Sequence, residues 1–425
     1  MAEKKVINNK LVRLCESLLK EVLDFKIATD RVLADYFYKN KLGKSERYII
    51  AETIYLILRN YFKITTALSL TSQTNNNQFK QSDYIDIIGI TWIKLMKMDE
   101  SYFENISSIE FEKFERFEFR DDILSKSELP QWIIDKLNNY EEKEIIELGR
   151  AMQEPALLNL RVNLLKTDRK SVLDFLKKEG IAARVTQYSL FGICLINKSF
   201  LGKNDLFIKG LIEIQDESSQ LAGMLFAPRR GEMIVDFCAG SGGKSLLIGM
   251  LTYNTGRVYA FDINEKRLNN LTPRLKRSGL SNIYPQLITG EKDNKVKRLS
   301  GKIDRVFVDV PCSGFGTLRR NPDIKFRKSQ SDILELTIKQ LSILTEASKL
   351  VKKGGYLLYA TCSILYEENQ GIVNTFLQQN QDFKIIPAAT VLKNINIKFI
   401  DENFLILLPH IHITDGFFAA LMQKS

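Results

Sequence analysis

From Gly231 onward, short apolar runs alternate with longer amphipathic stretches. Strands are predicted at Met233–Phe237, Arg257–Phe261, Asn282–Ile288, Asp304–Val308 and Tyr356–Tyr359, with helices near Lys244–Thr255, Asn264–Gly279 and Asp332–Lys352. Runs rich in Val, Ile and Phe suit strands buried on both faces, and strands that alternate with helices build a doubly wound parallel sheet. The fold class is therefore α/β. In such a sheet ligands bind beyond the carboxyl ends of the strands, so the turns after these runs are where chemistry is to be sought.

Three of those turns stand out. Asp236-Phe-Cys-Ala-Gly-Ser-Gly-Gly-Lys-Ser245 follows the first strand and opens a helix. Its glycines let backbone approach a ligand closely, and the helix start offers unpaired N–H groups. The loop nearly matches a phosphate-binding P-loop, with Cys238 at the first required glycine, and nearly matches a dinucleotide loop, with Ser245 at the last. Alone it ranks phosphate and adenosine ligands equally. Asp262, roughly 20 residues on, ends the second strand, where an acid can hold ribose hydroxyls. The other two turns each present a cysteine, Cys312 in Pro311-Cys-Ser-Gly314 and Cys362 in Thr361-Cys-Ser363. Either cysteine alone is as readily a buried structural thiol. Neither an ATPase nor a dehydrogenase accounts for two cysteines at two strand ends.

Pro311-Cys-Ser-Gly314 with Leu318-Arg-Arg-Asn-Pro-Asp-Ile-Lys325, together with Thr361-Cys-Ser363, resembles the paired cysteine motifs of the RNA cytosine-5 methyltransferases of the NOL1/NOP2/Sun family. The bacterial members that modify small-subunit ribosomal RNA are the nearest likeness. That resemblance implies a Rossmann-like class I methyltransferase domain using S-adenosylmethionine. It implies that Cys362 attacks C6 of the base, that Cys312 helps release the methylated adduct, and that Asp309 and Lys244 serve the target base. The cofactor would lie against Cys238, Ala239, Gly240, Ser241, Gly242, Gly243, Lys244, Asp262, Arg267 and Asp309. No metal is implied. Ser241 replaces the family's usual proline, and no clear counterpart of the usual acid near the adenine follows the third strand, where Glu291 is the substitute. Asp415-Gly-Phe-Phe-Ala-Ala-Leu-Met422 matches the family's closing antiparallel strand.

The first 129 residues contain no proline and only Gly43 and Gly89, so little interrupts helix. Leu11, Leu14, Leu18, Val22 and Phe25 recur at helical spacing, as do Ile50, Ile54, Ile57, Leu58 and Tyr61 after a cap at Ser45. The resemblance makes this a NusB-like RNA-binding domain, removable at about Asp121. Ser72–Gln78 reads as a loop between helices. Three domains are expected: 1–125 helical, 126–225 a small α/β connector that contacts RNA, and 226–425 the methyltransferase. The connector's elements are predicted at Ala156–Asn163, Asp168–Lys178, Ala182–Val185 and Ile193–Ile196.

The net charge of +10 points to a polyanionic partner, and RNA fits best. Lys292, Lys295, Lys297 and Arg298 before the Cys312 strand, and Arg319, Arg320, Lys325, Arg327 and Lys328 after it, are placed to hold phosphates. Five scattered cysteines with no CxxC pair suit a reducing compartment, and a polar start without a long apolar run suits a cytoplasmic protein off the membrane. A monomer is expected. His410 and His412, on one predicted strand, are read as structural, and so few histidines argue against hydrolase triads. The rival readings are a transfer RNA methyltransferase, a nonenzymatic RNA-binding assembly factor that keeps the fold, and a P-loop ATPase.

Overall fold

The computed structural model describes residues 7–425 apart from 71–78, 105, 198–200 and 203, so the Ser72–Gln78 loop lies outside the described residues. By contacts the chain forms two compact units, Met1–Pro155 with Leu318–Ser329, and Ala156–Thr317 with Gln330–Ser425. The divide placed at 125/126 falls inside the first unit. That at 225/226 falls inside the second.

The first unit is helical. Asn9–Val22, Thr29–Asn40, Lys44–Arg59, Tyr61–Ala67 and Gln81–Ile90 bury one apolar stripe each, and Leu11, Leu18, Ile50, Ile54, Ile57 and Trp92 are almost wholly removed from water. Helix Lys44–Arg59 does not start from a Ser45 cap. Gly43 is the cap residue, and Glu46 reaches back to accept from the Gly43 amide at 2.9 Å. That bond satisfies a donor left open at the helix start.

The unit also contains Leu318–Ser329, the stretch just after the Cys312 turn. Phe326 stacks on Phe25 with ring centroids 4.5 Å apart and packs edge-on to Tyr61. Lys325 Nζ donates to the Glu128 carboxylate at 3.1 Å and to its carbonyl at 2.9 Å, both residues being buried. Glu128 also accepts from the Phe62 and Lys63 amides. Asp323 accepts from the Thr29 amide and from Arg327, while the Arg319 carbonyl accepts from Arg59. Burial drives the Lys325 ammonium down and the Glu128 carboxyl up from their usual values, and their mutual attraction opposes both shifts. Lys325 and Arg319 are thus buried structural cations rather than phosphate ligands. Thr29, Arg59, Tyr61 and Phe62 all hold this later segment.

In the second unit β1 (Leu158–Val162), β2 (Ala183–Val185), β3 (Gly192–Leu195) and β4 (Ile212–Ile214) make an antiparallel sheet in the order β2-β3-β1-β4. Helix Arg169–Lys178 packs on it through Val172 and Leu176. The larger sheet uses β5 (Met233–Asp236), β6 (Arg257–Asp262), β7 (Ile283–Leu287), β8 (Ile303–Asp309), β9 (Val351–Thr361), β10 (Phe383–Ile386), β11 (Leu405–Leu407) and β12 (Phe417–Lys424). Its order is β10-β12-β9-β8-β5-β6-β7, with β11 on β12. β5 to β9 run parallel, and β12 closes antiparallel to β9. This is the expected Rossmann-like arrangement. Successive residues face opposite cores: Ile234, Val258, Phe307 and Leu358 pack on one side, Val235, Val306, Val308 and Leu357 on the other.

Two local expectations change. The helix predicted over Asn264–Gly279 is two, Glu265–Asn269 and Leu271–Ser278. Pro273 has no N–H and its ring opposes the carbonyl four residues back, at Asn269, so the first helix stops there. His410 and His412 lie on a helical turn, Pro409–His412, not a strand; proline at its first position suits a helix start. His412 Nδ1 accepts from the Leu408 amide at 3.0 Å, and Nε2 meets the Lys398 carbonyl at 2.9 Å. No described helix is long and apolar enough to cross a membrane.

Candidate active site

Strand order reverses between β5 and β8, which run parallel: β6 and β7 extend the sheet one way and β8 and β9 the other. Such a switch point opens a crevice at the strand ends. The glycine-rich loop leaves β5 there, the Pro311–Gly314 turn leaves β8, and the Thr361–Ser363 turn leaves β9. Because β8 and β9 are parallel neighbours with Asp309 paired to Ala360, the turns after them come together. Cys312 Sγ and Cys362 Sγ are 3.1 Å apart.

Next to the thiols, Lys244 Nζ donates to Asp309 Oδ2 at 2.6 Å, and both side chains are largely buried. Burial alone would push the ammonium down; Asp309 and, more weakly, Cys362 and Asp236 leave it above its usual value. The Cys312 thiol is raised well above the ordinary range, by its hydrogen bond with Cys362, by burial, and by the negative charge of Cys362, Glu368 and Asp309. The Cys312 thiol is therefore the one held toward its protonated form, and either sulfur can donate across the 3.1 Å contact. Burial, then the surrounding carboxylates, also raise Cys238 well above its usual value, so it suits packing rather than nucleophilic work.

The loop after β5 is shaped to receive a ligand closely. Gly240 and Gly242 have positive φ, 56° and 79°, and a Cβ on Gly242 would stand 2.0 Å from Leu271. The Gly240 amide donates to Asp262 Oδ2 and the Asn264 amide to Oδ1, both at 2.7 Å, so Asp262 joins the loop to the end of β6. Ser245 Oγ donates to Asp236 Oδ2 at 2.6 Å, whereas buried Asp236 Oδ1 meets no donor among the described residues. Burial drives the Asp236 carboxyl up to about 7. Backbone cradle, paired acid at Asp262 and an open buried acceptor at Asp236 are the donor and acceptor set that an adenosine-bearing cofactor needs.

Three polar residues that fasten this loop carried no local signal. Arg274 Nη1 donates to the Ser241 carbonyl at 2.7 Å, while its other nitrogens and Arg277 hold Glu213 of β4. Arg161 of β1 donates to the Gly243 carbonyl at 2.7 Å and to Gln215 at 2.6 Å, and Gln215 also donates to Gly243. Burial pushes the Arg161 guanidinium down to about 10, with Glu213 opposing the shift. With serine where proline would stiffen the turn, these side chains supply the restraint. Arg267, by contrast, stands exposed on helix Glu265–Asn269. Glu291 is engaged elsewhere, accepting from Lys339 at 2.7 Å and Ser342 at 2.9 Å. Partial burial would raise its carboxyl, but the Lys339, backbone and Ser342 hydrogen bonds hold it below the usual range. Lys292, Lys295, Lys297 and Arg298 are all exposed.

The model for 16S rRNA methyltransferase RsmB/F matches residues 223–423, and that for an RsmF/B-like ferredoxin-like domain matches 129–199. The probable ribosomal RNA small subunit methyltransferase B of Bacillus subtilis is 34% identical over 300 residues, 70% of this chain and 66% of that protein. The human 28S rRNA (cytosine(4447)-C(5))-methyltransferase is 32% identical over 66% of this chain and 36% of its own length. The crystal structure of PH0851 superposes with a TM-score of 0.78 over 98% of this chain and 99% of that one, at 23% identity, a likeness of fold. The chain belongs to the RsmB/F family of 16S rRNA methyltransferases.

Proposed function

We propose that this protein transfers a methyl group from S-adenosylmethionine to C5 of a cytosine in small-subunit ribosomal RNA, through a covalent adduct at Cys362. The observation that carries the reading is the pair of thiols 3.1 Å apart beside the Lys244–Asp309 ion pair, one strand away from a glycine cradle. The names of the Bacillus and human relatives support ribosomal RNA and cytosine C5 respectively.

Cytosine C5 is too electron-poor to take a methyl group unaided. Cys362 attack forms an Sγ–C6 bond, and the C5–C6 π electrons pass into the ring, which makes C5 nucleophilic. Asp309 accepts from the amino group at the cytosine edge, and the Lys244 ammonium paired with it offsets the negative charge that develops on the ring. Lys244 sets a positive charge near Cys362, while burial and the Cys362 contact hold Cys312 toward its protonated form. Cys238, Ala239, Gly240, Ser241, Gly242, Gly243 and Asp262 would hold the cofactor, with Asp236 beneath them. S-adenosylmethionine supplies an electrophilic methyl on a sulfonium. After transfer the C5 hydrogen leaves as a proton to a base, the Sγ–C6 bond breaks and the C5–C6 double bond returns, with Cys312 standing beside the departing sulfur. The target base has to be unpaired or flipped out to reach this crevice. The helical unit and the exposed lysines at 292, 295 and 297 are proposed to bind the RNA backbone.

Bisulfite sequencing of ribosomal and transfer RNA from cells with and without the protein tests the substrate. A single small-subunit cytosine should lose its mark. A loss confined to transfer RNA would move the substrate, and tight ATP binding with hydrolysis in place of S-adenosylmethionine binding would overturn the reading.

A further inference from the structure

Directly after each cysteine comes a serine, and both serines converge on one buried acid. Glu368 has no exposed surface. Its carboxylate accepts from the Ser313 amide at 2.7 Å, Ser313 Oγ at 2.5 Å, Gln340 Nε2 at 3.0 Å and Ser363 Oγ. The two serine oxygens lie 3.2 Å apart. Gln340 also donates to the Pro311 carbonyl at 3.1 Å, so both flanks of Cys312 lead to the same group. The acid is itself fixed, because Tyr359 of β9 donates to the Glu368 carbonyl at 2.6 Å. Its neighbour Asn369 accepts from Thr361 at 2.5 Å and donates to the Ser363 carbonyl at 3.0 Å, bracketing Cys362. A carboxylate this deep needs several donors to remain there, and here they come from both cysteine turns.

We propose that Glu368 is the positioning residue that sets the separation of Cys312 and Cys362, tying the turn after β8 to the turn after β9 so that nucleophile and resolving thiol work as a pair. The assignment of those two roles rests on the reading under Proposed function; the tie itself does not. A single acid shared by the two turns makes their spacing one variable. Lengthening it by an ångström separates the thiols without touching either one, and misplacement of that size in a catalytic pair costs on the order of 100-fold in rate.

The test uses the full-length protein with Glu368→Ala, Glu368→Gln and the Ser313→Ala/Ser363→Ala pair. The first readout involves no RNA: the rate at which diamide joins Cys312 to Cys362, followed by peptide mass spectrometry. Glu368→Ala should slow that joining about 10-fold or more, and Glu368→Gln, which keeps the shape and one acceptor, should restore most of it. The second readout is methyl transfer, where kcat should fall about 100-fold for Glu368→Ala with KM for RNA within about 2-fold of the parent. If Glu368→Ala fails to fold, the serine pair, which removes only the hydroxyl bonds, must still slow diamide joining. Unchanged joining in that pair, or in a folded Glu368→Ala protein, overturns the proposal. Altered joining in a protein whose parent methylates no RNA would instead remove the functional reading and leave the tie standing.

Discussion

Replacing Lys325 by methionine keeps the stem of the side chain and deletes its charge from the helical unit. Glu128 is then left buried with the Phe62 and Lys63 amides as its remaining donors, having lost the cation at 3.1 Å. Removing one partner of a buried pair costs about 3–5 kcal/mol, because the other charge stays desolvated and uncompensated. For a unit of this size each kcal/mol moves the melting midpoint by roughly 2–4 °C, so the drop should be about 6–20 °C. Trp92 and Trp132 are the chain's two tryptophans, and both belong to this unit, so intrinsic fluorescence follows its unfolding selectively. Glu128→Gln should cost a comparable amount, and the double variant Lys325→Met/Glu128→Gln clearly less than the sum, as expected for directly coupled groups. A Lys325→Met midpoint within about 2 °C of the parent would refute the claim that this lysine is a buried structural cation.

Asp236 makes stability depend on pH in an unusual direction. Its carboxyl is raised from 3.8 to about 7 in the folded state, so the native protein holds a proton that the unfolded chain releases, and stability falls as pH rises from about 4 to about 7. Three pKa units correspond to about 4 kcal/mol; Asp236→Asn should flatten that part of the denaturation profile, and an unchanged slope would show that Asp236 is ordinary. Gly316→Ala should damage the joint between the cysteine turns, since an added Cβ would meet the Gly416 carbonyl oxygen at 2.0 Å and that of Cys362 at 2.8 Å. A loss of about 1–3 kcal/mol in urea unfolding is expected, and full stability would mean the two backbones are not in contact.

The catalytic half of the fold was legible because its signals are local. Val306, Phe307 and Val308 read as a buried strand without knowledge of their neighbours, and the glycines of the loop after β5 announce a close backbone approach. Even so, β9 starts at Val351, well before Tyr356: Ile303 pairs with Val351 and Arg305 with Tyr356, so the register shifts across the intervening lysines and glycines, an irregularity that no local pattern announces. The basic run after Cys312 misled for a similar reason: Lys325 looks solvated until Glu128, 197 positions earlier, is placed against it. Arg274 and Arg161 were invisible because their acceptors are backbone carbonyls of a distant loop. Glu368 had a faint signal, an acid pair at Glu367 and Glu368 five residues beyond the second cysteine motif, but nothing local distinguishes it from a solvated turn.

The central claim is that the two cysteines divide the work, Cys362 forming the bond to C6 and Cys312 assisting its release. Incubating the protein with S-adenosylmethionine and its RNA, followed by denaturing electrophoresis, tests this most directly. Cys312→Ala should accumulate a protein–RNA species that survives denaturation, Cys362→Ala should lose turnover without trapping RNA, and the double variant should lose the trapped species. The effects should not add, because the pair acts as a unit. Trapping by Cys362→Ala would reverse the two roles, and methylation that survives loss of both thiols would contradict covalent catalysis at this site.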